Sequence, residues 1–118
     1  MKWILAHIHL LVRFAGIWIL GNGILHDYFI LLQKRPFERE LIRLLIDGHI
    51  LIFSGILFLI CAKPLKQGSD FALLLCIVNA LFLLGYCALI FKMLPAVGII
   101  IVSLTVLAVA VITKFSAK

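Results

Sequence analysis

The sequence predicts an all-α, polytopic membrane protein: a single antiparallel bundle of four transmembrane helices occupying residues 1–118. Three observations carry that expectation. Hydrophobic residues make up 65% of the chain and charged residues only 14%, and mean hydropathy is +1.27. A soluble domain of this length would carry far more apolar surface than its core could cover. The apolar residues also fall into four runs, each close to or above the ~20 residues that cross a bilayer. Finally, the polar breaks between runs are short, which makes consecutive helices antiparallel neighbours.

The first run extends over residues 3–32 and is interrupted by Arg13. A secretory signal has an apolar region of about 7–15 residues followed by a small-residue cleavage site, so this run is expected to stay as a mature helix. It ends at Gln33-Lys34-Arg35-Pro36, where proline disfavours helical geometry for the residue before it. The second run covers residues 37–62 and is expected to end at Lys63-Pro64-Leu65-Lys66-Gln67-Gly68. Its opening, Phe37 to Ile46, reads either as an amphipathic stretch in the headgroup layer or as the start of one tilted helix. Ser69 or Asp70 caps the third run, residues 70–94, and Pro95 opens the fourth, residues 95–114, at a first-turn position where its missing N–H costs nothing.

Net charge is +6, but the basic residues gather at the ends of the apolar runs. That placement suits anionic headgroups and topology, with the lipid bilayer as the first partner, and excludes a nucleic-acid surface. Lys2, Lys63, Lys66, Lys114 and Lys118 fall on one side of the bundle, and Lys34, Arg35, Arg39, Arg43 and Lys92 on the other. The counts tie. Four spans put both termini on the same side. Cys61, Cys76 and Cys87 lie in apolar runs without a C-x-x-C pair, and so read as small buried residues rather than a thiol relay.

The chemistry-bearing signal is a set of ionisable groups inside these runs. An ionisable side chain in hydrocarbon costs at least about 2.5 kcal/mol, so it faces a bundle interior and is paired or functional. Asn22 and His26 are four apart on one helix face, as are Arg39, Arg43 and Asp47 on the next helix. The tight turn between the helices brings His26 and Asp27 to nearly the depth of Arg43 and Asp47. The expected polar cluster is therefore Asn22, His26, Asp27, Arg43 and Asp47. Two roles suit it: a salt-bridge network pinning the hairpin, or a relay in which His26 exchanges protons between carboxylates.

A second polar group, His9 and Arg13, lies toward the opposite face. His7-x-His9 makes a poor metal site, because alternate residues diverge on a helix. Haem ligation would need two imidazoles at one depth, for which His26 and His49 are the candidates, and no motif supports it. No metal site and no cofactor is predicted. Gly16, Gly21 and Gly23, with Gly48 and Gly55, are expected to let the helix backbones approach, and Asn79 to hydrogen-bond across helices.

The stretch Arg13-Phe-Ala-Gly16-Ile-Trp-Ile-Leu-Gly21-Asn-Gly23-Ile-Leu-His26 resembles the first helix of the DoxX-like family of small bacterial membrane proteins. Gly48 and Ser54-Gly55-Ile-Leu-Phe-Leu are similar to that family's glycine-punctuated second span. The resemblance covers about half the chain; His7, His9, Asp27 and Asp47 lie outside its pattern. It implies a left-handed four-helix bundle in the bacterial inner membrane with cytoplasmic termini, and association with respiratory or redox assemblies as a non-catalytic subunit. Small multidrug exporters place a glutamate in the first span and fluoride channels a phenylalanine box in the third, and this chain reproduces neither.

The sequence thus favours an accessory or structural subunit of a bacterial inner-membrane complex, associated with other membrane subunits or with itself. A small transporter or proton-coupled channel using the His/Asp/Arg cluster is the alternative, and a haem- or quinone-binding redox subunit the second. Enzymatic hydrolysis is the least favoured reading: no Ser–His pair or zinc motif is visible.

Overall fold

The computed structural model describes residues 2–92 and 96–116, with side chains from residue 6 to residue 115. The described residues form four α-helices: α1 (Lys2–Leu32), α2 (Arg39–Lys66), α3 (Asp70–Ile90) and α4 (Val97–Ser116). All four are long and apolar enough to cross a membrane. The bundle is 53 Å long, longer than a hydrocarbon layer of about 30 Å.

Two caps fix the helix ends, and one differs from expectation. α2 continues past the expected residue 62 to Lys66, with Pro64 in its last turn. Gly68, at the far end of the expected polar stretch, ends it with φ +82°. The Gly68 N–H donates to Leu65 O (3.0 Å) and the Ser69 N–H to Pro64 O (3.0 Å), the two bonds of a Schellman stop. Proline sits there without penalty to the stop because it contributes a carbonyl, not a donor. At the other end of the helix pair, Lys34 takes a left-handed conformation (φ 51°) and its N–H donates to Leu31 O. Arg35 then reaches Glu40 across the turn at 3.7 Å. α2 begins at Arg39 and runs unbroken, so the opening stretch is part of one helix. Ser69 caps α3 by accepting from Ala72 N at 3.2 Å. α3 ends at Ile90, short of the expected residue 94; Pro95, expected to open α4, lies outside the described residues.

The helices pack in a ring, α1 on α2, α2 on α3, α3 on α4 and α4 back on α1, with α1–α2 the most intimate pair. Leu41, Gly48, Gly55 and Ala62 are buried at intervals of seven on α2, and α1 presents Gly16, Gly23 and Ile30 at the same interval. A seven-residue repeat is the pattern of left-handed helix crossing. A Cβ placed on Gly55 would stand 2.6 Å from Leu20 N and 2.8 Å from Gly16 O; one on Gly23 would stand 2.7 Å from Gly48 O. The backbones touch because neither helix carries a side chain there. Gly21 is different: a Cβ there meets nothing within 4 Å, since two residues from Gly23 is more than half a turn around the helix.

The core is a column of small and branched residues. Val12, Ala15 and Ile19 of α1 meet Phe58 and Cys61 of α2, Cys76, Ala80 and Leu83 of α3, and Val106 and Ala110 of α4. The outer surface carries Phe14, Ile17, Phe53, Ile60, Phe71, Leu89 and Phe115, residues that only lipid or another protein would cover favourably.

Candidate functional site

The polar groups expected to form one cluster divide across the α1–α2 seam. Adjacent residues on a helix point about 100° apart, so His26 and Asp27 leave α1 in different directions. Each finds its own partner on α2.

Asp27 is buried, its side chain only 12% accessible, and its Oδ2 lies 2.9 Å from His49 Nδ1. His49 Nδ1 is also 2.7 Å from Leu45 O. Both neighbours are hydrogen-bond acceptors, so Nδ1 carries the hydrogen, and Nε2 has no partner among the described residues. Asp27 Oδ1 is buried without a hydrogen-bond partner among the described residues. It occupies the space that a side chain at Gly48 would need. The glycine thus has a second function beyond helix approach: it makes the seat for a carboxylate. His49, by contrast, is 69% exposed. It interrupts an exposed stripe of α2 formed by Ile42, Ile46, Phe53, Ile56 and Ile60.

His26 faces the other way, with Nε2 3.0 Å from Leu44 O. Asp47 accepts a short hydrogen bond from the Tyr86 hydroxyl of α3, which ties α2 to α3 near the same end of the bundle. Asn22 donates to Trp18 O of its own helix at 2.8 Å. Arg43 is exposed and forms no ion pair among the described residues. The structure therefore does not bring Asn22, His26, Asp27, Arg43 and Asp47 into a single network. It brings together Asp27 with His49 and Asp47 with Tyr86. His49 figured in the sequence only as a haem candidate and Tyr86 not at all. The Asp27–His49 pairing depends on the helix offset that the glycines set, which spacing along one helix does not reveal.

At the opposite end, Arg13 is exposed and His9 half-buried, and the two share no hydrogen bond or ion pair. The His7 and His9 rings stack with centroids 6.4 Å apart. Asn79 Nδ2 donates to Ser54 O at 2.9 Å in the bundle interior, the cross-helix bond expected of it. Cys61 and Cys76 meet across α2 and α3, and all three cysteines are buried and free. Among the described residues no group of three or more His, Cys, Asp or Glu side chains is placed to hold a metal ion.

Beside the polar groups a cleft of about 530 Å³ opens between α1, α2 and the first turn of α4, lined by Asn22, His26, Leu25, Phe29, Leu51 and residues 96–99. Among the described residues no charged side chain lines it. Compared with protein-family models, curated proteins and solved structures, the chain matches none.

Proposed function

We propose that the chain is a non-catalytic accessory subunit of a bacterial inner-membrane complex, respiratory and redox assemblies being the first class to examine, and that it docks through the exposed face of α2. One observation carries this reading. His49 stands ten residues into α2, about 15 Å along the axis at 1.5 Å per residue, with its ring exposed amid isoleucine and phenylalanine. An ionisable group left against lipid at that level is costly, whereas a neighbouring helix bearing a hydrogen-bond donor would satisfy Nε2. The buried Asp27 carboxylate holds the ring in one orientation, which favours a fixed contact over a mobile one.

Less supports the transporter reading. A relay needs groups at successive depths, and here the ionisable pairs gather toward the α1–α2 turn. The other half of the interior is lined by Val12, Ala15, Phe58, Cys76 and Ala110.

The test is site-directed photocrosslinking in the membrane, followed by purification in a gentle detergent. A photoreactive phenylalanine at Ile46 or Phe53 is expected to capture one stoichiometric partner, with capture weakened by His49→Leu. The same probe at Leu81 or Phe82 of α3 serves as the reference. Equal capture from both faces, a homodimer only, or no adduct at all would overturn the proposal. An absorption spectrum of the same fraction examines the haem alternative through its Soret band.

A further inference from the structure

We infer that the cleft between α1, α2 and the first turn of α4 is a binding site for a long-chain carboxylic acid, a free fatty acid taken from the bilayer. The inference goes beyond the subunit proposal and does not depend on it. The cleft's volume, about 530 Å³, lies within the range of small-ligand sites, and its composition is typical of them: mostly apolar walls with a few polar groups. Leu25, Phe29, Leu51 and Val97 supply the walls, and Asn22 and His26 the polar groups.

The hydrogen-bonding state of those two side chains defines the headgroup. His26 Nε2 is 3.0 Å from the Leu44 carbonyl, which can only accept, so Nε2 carries the hydrogen and Nδ1 is left as a bare acceptor. Asn22 uses one amide hydrogen on Trp18 O; its second N–H and its Oδ1 have no partner among the described residues. The complement is a group that offers a proton and, two atoms away, an acceptor. A carboxylic acid does so, its O–H donating to Nδ1 or Oδ1 and its C=O accepting from Asn22. The first turn of α4 adds backbone N–H groups that lack acceptors within the helix. A phosphodiester headgroup is disfavoured because no lysine or arginine among the described residues lines the cleft to balance its charge. Binding changes no covalent bond; at most the acid proton passes from the carboxyl oxygen to Nδ1, giving a carboxylate–imidazolium pair.

Trp18 provides the readout. Its indole lies 3.5 Å from where a Cβ on Gly98 would stand, at the first turn of α4 that borders the cleft. The chain has two tryptophans, so Trp3→Phe leaves Trp18 as the single emitter. Stearic acid brominated at mid-chain, titrated into this protein in detergent, is expected to quench Trp18 saturably. The brominated methyl ester partitions into micelles similarly but has no acid proton, and should need at least about tenfold more for half-saturation. Asn22→Leu, whose only lost bond lies within its own helix, and Gly98→Leu, which fills the cleft, should each weaken the acid by a similar factor. Equal quenching by acid and ester, non-saturating quenching, an unchanged response in both variants, or equal quenching by a brominated phosphatidylcholine would overturn the inference. The acid–ester comparison uses the Trp3→Phe protein alone and stands even if a cleft variant fails to fold. The crosslinks from Ile46 and Phe53 are read separately, so failure here leaves the subunit proposal standing.

Discussion

Asp27 of α1 and His49 of α2 meet Oδ2 to Nδ1 at 2.9 Å, with the carboxylate buried and the imidazole exposed. The burial is one-sided because Gly48 supplies the carboxylate's seat while nothing on α1 covers the ring.

That asymmetry orders the effects of mutation. His49→Ala strands a buried carboxylate whose other oxygen already lacks a hydrogen-bond partner. It is expected to cost about 1–2 kcal/mol, toward the low end of the penalty for an unsatisfied buried group because His49 is itself exposed. Asp27→Asn in the His49→Ala background removes the charge and should recover most of the loss. Thermal unfolding in one detergent measures both. If the double variant is no more stable than His49→Ala alone, the buried charge is not the source of the cost.

The pattern of apolar runs made the four helices legible, because each run is long, continuous and punctuated, and the small residues at intervals of seven made the close packing of α2 legible too. The polar site was only half legible. Periodicity places Asp27, Asp47 and Arg43 at similar depth, but depth does not say on which side of a helix–helix seam a side chain emerges. His26 and Asp27 are neighbours in sequence and fall on opposite sides. Arg43, grouped with Asp47 by its four-residue spacing, emerges to the exterior, and Asp47 takes its partner, Tyr86, from a helix 39 residues away. α2 runs four residues beyond residue 62 because Pro64 fits its last turn, and the Schellman bonds at Gly68, inside the polar stretch that marks the end in the sequence, do the stopping.

The seam glycines should respond very unequally to one added methyl. A Cβ on Gly23 meets Gly48 O at 2.7 Å and Ile52 N at 2.8 Å, and one on Gly55 meets Leu20 N at 2.6 Å. These are backbone atoms, so the helices themselves must separate. Gly23→Ala and Gly55→Ala are each expected to destabilise the bundle by about 1–3 kcal/mol, the usual cost of overpacking. Gly21→Ala meets nothing and removes a glycine from a helix interior, so it should raise stability by up to about 1 kcal/mol. The comparison is made by thermal unfolding followed by circular dichroism, and a Gly21→Ala protein as unstable as Gly23→Ala would show that the seam does not control packing.

In the interior between α2 and α3, a satisfied amide and an unsatisfied hydroxyl sit close together, and they should behave oppositely. Asn79 Nδ2 donates to Ser54 O at 2.9 Å, so Asn79→Ala loses a cross-helix hydrogen bond, a loss of about 0.6–2 kcal/mol in membrane proteins. Ser54 Oγ is buried without a partner, as is Ser103 Oγ on α4. Deleting either hydroxyl forfeits no hydrogen bond and relieves a desolvated oxygen, so Ser54→Ala and Ser103→Ala should be neutral or stabilising. The Asn79 bond uses the Ser54 backbone carbonyl, not its side chain, so Ser54→Ala should also leave the cost of Asn79→Ala unchanged. Unfolding of the two single variants and the double variant decides the point: additive effects place the bond on the backbone, and a reduced cost of Asn79→Ala in the Ser54→Ala protein would place it on the hydroxyl.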